Sequence, residues 1–421
     1  MFSRWYYFLI FILFGACSHT PAPPVSERVP ILKPEAQLQF DSSLSITLDE
    51  EKNIQQWLQG NFDSSNKKPT SSINPQFKLR CQFFLGNNSD DIWPLAEPVY
   101  QNNILYAIGS GTTLSAINLR KCKKLWEITL PVSQENRPFT KGLGISIAHN
   151  TLFITLTSGS LFAVDLQGNI LGEKKFQNPL KSPPTIYNDK IFITTADNQL
   201  IAINLIDGKY EWNYKAIHPK TSFFEMASSG ANQNIIVTPF SSGELIAFDT
   251  QTGTPIWEET FFIKNVLNQS GDLSHLQAAP VIDNNIVYIT SNAYKTAAFN
   301  IATGIKLWDL PLASISTPLV SGSALFLVDV NEQAFAIDTK TGKAIWQTSL
   351  KKKNQGNNWK GPLLLSNKLI FVSSKGHITV LDAFTGEKKY QYRTKEGLTY
   401  PIIADDSLVL LTHRSHLLIY K

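Results

Sequence analysis

From Phe77 to Lys421 the chain alternates apolar runs of four to seven residues with polar turns, the pattern of short strands joined by hairpins. Residues 336–350, AIDTKTGKAIWQTSL, are the clearest unit. Phe335, Ala336 and Ile337 read as a strand ended by Asp338, whose carboxylate can accept a hydrogen bond from the turn backbone. Gly342 supplies the positive φ that closes the hairpin, and Ile345 and Trp346 open the second strand. One hairpin cannot bury a Trp by itself, so the unit requires neighbours.

Those neighbours are copies of itself. Asn204, Asp249, Asn300 and Asp338 are each followed four residues later by Gly208, Gly253, Gly304 and Gly342, and eight residues later by Trp212, Trp257, Trp308 and Trp346. Weaker copies keep the frame: Asn118 and Trp126 with Cys122 at the Gly position, Asp382 and Gly386 with Tyr390 for Trp, and Asp165 and Gly168 with a turn one residue shorter and no Trp. Successive copies lie from 38 residues (Asn300 to Asp338) to 51 residues (Asp249 to Asn300) apart, and each is preceded by a further strand pair. Four strands per period of that length describe a propeller blade. Three more strands (401–404, 408–412 and 416–420) end the chain, and 78–85 is an orphan strand before the first repeat. The expectation is an all-β, eight-bladed β-propeller of four-stranded antiparallel blades over 76–421, its last blade closed by the N-terminal strand.

The first 75 residues follow another pattern. Arg4, an apolar run from Trp5 to Phe14 and the small residues Gly15-Ala16 before Cys17 read as a secretory signal over 1–16, too short to span a bilayer. Residues 17–75 read as a tether, Pro-rich at 20–24 and polar at 64–75, with a short helix at 49–59. Thr47 and Glu50 have capping-box spacing there, and Ile54, Trp57 and Leu58 share one helical face.

Composition narrows the function. With 38 basic and 34 acidic residues in 421, the net charge of +4 carries no nucleic-acid footprint. The runs at 120–124 and 351–353 read as solvated blade edges, with anionic lipid headgroups as the alternative contact. The seven His form no H-E-x-x-H or H-x-H, and His413 and His416 read as surface residues. There is no G-x-S-x-G elbow, and the Gly-Lys pairs at 208 and 342 are turns rather than phosphate loops. The recurring Asp and Asn are read as turn caps and the recurring Trp as seam fillers, so no catalytic, metal or cofactor residue is expected. Cys81 and Cys122 fall on the closing strand and on the outer turn of the first blade, neighbours in the ring, and are a candidate disulfide.

The Asp-x-x-x-Gly-x-x-x-Trp frame over 77–421 resembles the pyrroloquinoline-quinone-type propeller repeat. Leu13-Phe14-Gly15-Ala16-Cys17 resembles a lipobox, with Cys17 as the lipidated residue and Phe14 where Leu is usual. Together they resemble the BamB-like assembly lipoproteins. The resemblance implies a non-enzymatic scaffold at the outer membrane, facing the periplasm and held by N-terminal lipid. It would act as a monomer within a hetero-complex, bound to the β-barrel assembly subunit and its associated lipoproteins, and to nascent outer-membrane proteins. It also implies a partner site on two loops flanking the fourth blade, here Phe223, Phe224 and Glu225 on one side and Leu273, Ser274, His275 and Gln277 on the other. His275 and Gln277 stand where the family has acids. The alternatives are a quinoprotein-like or ligand-binding propeller, or a propeller lipoprotein with another envelope partner; against the quinoprotein, the adjacent Cys pair of that class is missing.

Overall fold

The computed structural model describes residues 38–73, 77–86, 96–109, 111–133, 140–217, 227–261, 276–292, 295–351 and 356–421. The chain divides into two compact units, 1–36 and 37–421, and the first lies wholly outside the described residues. The second is an eight-bladed β-propeller with no helix among the described residues. Blades 1 to 7 run consecutively (99–129, 142–175, 185–215, 230–260, 281–310, 319–349 and 359–393), each with four antiparallel strands ordered from the channel to the rim. Blade 8 combines Leu398–Ala404, Ser407–Thr412 and His416–Tyr420 with the N-terminal strand Leu79–Phe84, which pairs antiparallel with His416–Tyr420. Blade 8 thereby reaches four strands like the others and joins both ends of the repeat region.

The core is a ring of layers between blade faces rather than one centre. One layer joins Ile108, Leu114 and Ala116 of blade 1 to Ile145, Leu152 and Ile154 of blade 2, and another joins Tyr288, Ala298 and Trp308 to Leu325, Leu327 and Ile337. In every outer hairpin of blades 1 to 7 the register slips by one residue beside the Trp position. A small Ala (Ala116, Ala202, Ala247, Ala298, Ala336) stands opposite each Trp, which makes room for the indole.

Residues 38–73 depart from expectation. The helix at 49–59 does not form: Gln56–Trp57 is a two-residue strand paired with Gln101 and Tyr100, and Ile54 bridges Asp405. An eleven-residue helix is marginal alone, whereas the innermost blade strands offer unpaired N–H and C=O groups that an extended chain can satisfy. Nor is 64–73 a linker. Asn66, Lys68, Thr70 and Ser71 are buried, and Thr70–Ser71 pairs in parallel with Leu364 and Leu365. The polar composition that reads as a tether is what a segment needs to hydrogen-bond to strand edges.

Candidate functional site

The recurring residues are consumed by the seams between blades. The Trp of one blade lies under the Gly turn of the next: a Cβ added to Gly253 would come within 2.5 Å of Trp212, and one on Gly342 within 2.8 Å of Trp308. Each indole also donates to a carbonyl of that next turn, Trp126 to Leu166 (3.0 Å), Trp212 to Thr250 (3.1 Å), Trp308 to Thr339 (2.8 Å) and Trp346 to Ala383 (3.1 Å). The Asp caps the same turn. Asp249 accepts from the N–H of Gln251 and of Thr252 and from the Thr252 hydroxyl, and those bonds, the Thr252 N–H foremost, hold its carboxyl below the ordinary value. Gly and Trp recur as a pair because each belongs to a dock completed by the neighbouring blade.

At the closing seam the dock is covalent. Cys81 occupies the Trp register position of blade 8, opposite Ile419, and Cys122 occupies the Gly position of blade 1 with φ of 47°. The structure joins them as a disulfide with Cα atoms 6.1 Å apart.

The channel carries the most distinctive geometry. Residues 47–71 reach every blade at the rim where its two inner strands turn. Gln56–Trp57 pairs with blade 1, and the Leu58 carbonyl accepts from Ile147 of blade 2 (2.7 Å). The Gln59 side chain accepts from Ile186 of blade 3 (2.9 Å), and the Ser64 and Ser65 carbonyls accept from Ala231 of blade 4 (2.6 Å) and Ile282 of blade 5 (2.8 Å). Asp49 donates its N–H to Ser321 of blade 6 (2.9 Å), Thr70–Ser71 pairs with blade 7, and the Ile54 carbonyl accepts from Asp405 of blade 8 (2.9 Å). Asn66 clamps two blades, its amide donating to the Ser229 and Pro280 carbonyls at 3.1 and 2.9 Å. Trp57 is fully buried and donates to Glu97 at 3.0 Å. The segment is a plug across one mouth of the channel. Burial pushes the Glu97 carboxyl up and the Lys68 ammonium down beside this plug, while their mutual attraction works the other way.

The other chemistry-bearing groups are scattered. His416 is 2.9 Å from Glu396, which also accepts from Thr412, while burial lowers the affinity of His413 for a proton. Among the described residues no three His, Cys, Asp or Glu side chains gather as metal ligands.

The candidate partner loops connect the rim of blade 3 to blade 4 and that of blade 4 to blade 5. Phe223, Phe224, Glu225, Leu273, Ser274 and His275 lie outside the described residues, as does Cys17. Gln277 is half-buried next to buried Leu276. The described flanking residues Ala216 and Phe261 lie on the face opposite the plug, donating to Asn198 and Gly243 in the turns between the two middle strands of their blades. The extended plug is the feature that sequence reasoning missed; the apolar Ile54, Trp57 and Leu58, read as a helical face, were its signal.

The model of the outer membrane protein assembly factor BamB family matches residues 110–348 and 318–421. A relative from Moranella endobia, described as outer membrane protein assembly factor BamB, is 21% identical over 353 residues, covering 81% of this chain and 90% of its own. The crystal structure of BamB from Moraxella catarrhalis superposes with a TM-score of 0.70 at 18% identity, over 82% of this chain and 99% of that one. The quinohemoprotein alcohol dehydrogenase of Comamonas testosteroni superposes with a TM-score of 0.68 at 12% identity, over 88% and 81%, which shows a shared fold alone. Matched over more than half of its length, the chain belongs to the family of the outer membrane protein assembly factor BamB.

Proposed function

We propose that this protein is a non-enzymatic, lipid-anchored scaffold of the outer-membrane β-barrel assembly machinery, exported by its first 16 residues, tethered through Cys17 and facing the periplasm. The observation that carries the reading is how the recurrent Asp, Gly and Trp are used. They cap turns and fill seams, so what remains for function is where the blades differ. The connection after blade 4, 261–280, is the longest between consecutive blades, and a loop Phe pair such as Phe223-Phe224 is a reasonable interface anchor. The described flanks of these loops, Ala216 and Phe261, lie opposite the plug. Family membership supports the barrel subunit as that partner and nascent outer-membrane proteins as passengers.

The test replaces Phe223, Phe224, Leu273 and His275 together by Ala and measures co-purification with the barrel subunit from membranes. Recovery should fall at least tenfold with the thermal midpoint unchanged; unchanged recovery refutes the site. In a separate arm, Cys17→Ser should move the protein from the membrane to the soluble fraction.

A further inference from the structure

The seam between blades 2 and 3 is built differently from its neighbours. At the register position that holds Trp126, Trp212, Trp257, Trp308 or Trp346 elsewhere, blade 2 has Gly172, opposite Ala163. A Cβ added to Gly172 would meet nothing within 4 Å, and the same holds for Gly208, the turn glycine across the seam. At four full docks a Cβ added to the matching turn glycine would come within 3 Å of an indole, and one added to Gly168 would come within 3.0 Å of Trp126. At this seam Lys174 reaches the Gly208 carbonyl at 2.8 Å and lies over the Tyr210 ring, leaving the aromatic slot open. Around it stand exposed apolar side chains: Ile170, Leu171 (60% exposed), Ile206 (81% exposed) and Tyr210.

Beside the slot, the outermost strand of blade 2, Ile170–Lys175, presents the free edge of its sheet. How such an edge is used is visible on blade 6. There residues 39–41 of the same chain lie along the outermost strand, with the Ala344 N–H donating to Gln39 (2.8 Å) and the Asp41 N–H to Ala344 (2.9 Å). At the register position of Ala344, blades 1, 5 and 7 carry Lys124, Lys306 and Lys388 and blade 4 carries Pro255. Edge Lys and Pro discourage strand addition. Blades 2, 3 and 8 carry Ile170, Tyr210 and Leu79 there, which do not, and of these only blade 2 also has Gly at the Trp position.

We propose that the outer edge of blade 2 is a docking site for an extended segment of a partner protein. The segment adds as a fifth strand to Ile170–Lys175 and lays an aromatic side chain over Gly172 into the vacant slot, as aromatics on adjacent strands cover glycine elsewhere. The surface is separate from the loops around blade 4, so either proposal can fail without the other.

The test uses the full chain and a synthetic peptide of residues 38–47, the segment that adds to blade 6, with Trp in place of Phe40 and a matched peptide with Ala there. Binding is read by fluorescence anisotropy and stability by thermal midpoint. The Trp peptide should bind saturably and the Ala peptide at least tenfold more weakly. Gly172→Trp fills the slot in cis, so it should raise the midpoint while weakening the Trp peptide at least tenfold. Leu171→Lys should weaken the peptide similarly with the midpoint unchanged. Absence of saturable binding up to about 1 mM, a range where association is barely favourable, overturns the proposal, as does equal binding to the Gly172→Trp variant. Sedimentation showing a dimer that Leu171→Lys abolishes, without peptide binding, would make a second copy the occupant and overturn it too.

Discussion

Blades 5 and 6 meet through Trp308, which lies against Gly342 and donates to Thr339; blades 8 and 1 meet at the same register through Cys81 and Cys122. Two unlike chemistries fill one geometric slot, and the covalent one sits where the ring is closed by the two ends of the repeat region. Within a run of consecutive blades, chain connectivity keeps neighbours together and an aromatic dock suffices. The chain is broken instead inside blade 8, where the N-terminal strand Leu79–Phe84 is continuous in sequence with blade 1 and is held to His416–Tyr420 by hydrogen bonds. The disulfide fastens that strand to the outer turn of blade 1 and restricts the unfolded chain. The seam between blades 2 and 3 completes the series: with glycines at both dock positions and Lys174 reaching past them to the Gly208 carbonyl, it shows that one dock can be left open while the ring stands.

Substitutions can break this comparison. Trp308→Ala removes a buried indole and its hydrogen bond and should cost about 3–5 kcal/mol, seen as a large fall in the urea midpoint. Trp57→Ala in the plug should cost nearly as much, because it removes a fully buried indole together with its hydrogen bond to Glu97; a loss below about 1 kcal/mol would mean the plug is held mainly by its backbone bonds.

Next in size, Cys81→Ala with Cys122→Ala should cost about 2–4 kcal/mol, given the 41-residue separation. The sharper version is Cys81→Trp with Cys122→Gly, which writes the aromatic dock into the closing seam. If the slots are equivalent, this pair recovers most of the midpoint lost by the double Ala variant and makes it insensitive to reductant. A pair no more stable than double Ala would show that closure needs the covalent bond itself.

The smallest effect concerns the turn caps. Asp249 and Asp165 have carboxyls held below their ordinary value of 3.8, Asp249 chiefly by the Thr252 N–H and Asp165 chiefly by the Asn169 side chain. A lowered folded value contributes stability that is fully present above the unfolded value and is lost as pH falls through the folded one, so the thermal midpoint should drop as pH falls below the ordinary carboxylate value of 3.8. Blades 3 and 5 use Asn204 and Asn300 at the same position, each accepting from its turn backbone. Asp249→Asn should therefore leave the midpoint at pH 7 nearly unchanged and shrink the acid-dependent drop, and a large loss at pH 7 would show that the charge matters beyond capping.

The propeller was legible because it repeats. Asp338, Gly342 and Trp346 recur at fixed spacing, and a repeat of that length specifies one supersecondary unit whose faces must be stacked. The orphan strand at 78–85 was legible for the converse reason: the last blade was one strand short. The missing Trp of the Asp165 copy was visible too, yet its meaning was not, because whether a slot is empty depends on Gly208 of the following blade.

What the sequence by itself determined is therefore everything carried by local periodicity: strands, turns, blade number and the residues that every blade requires. Tertiary structure alone decided the state of residues 38–73. Their local pattern favours a helix and a tether, and nothing near them in sequence competes with it. Eight innermost strands, each with unpaired backbone groups at one channel mouth, exist only once the ring has closed, and they draw the segment into an extended plug. Long-range hydrogen-bond demand outweighed a weak local propensity. The same logic sets which seam is docked, bonded or open, since each slot is shared by two blades.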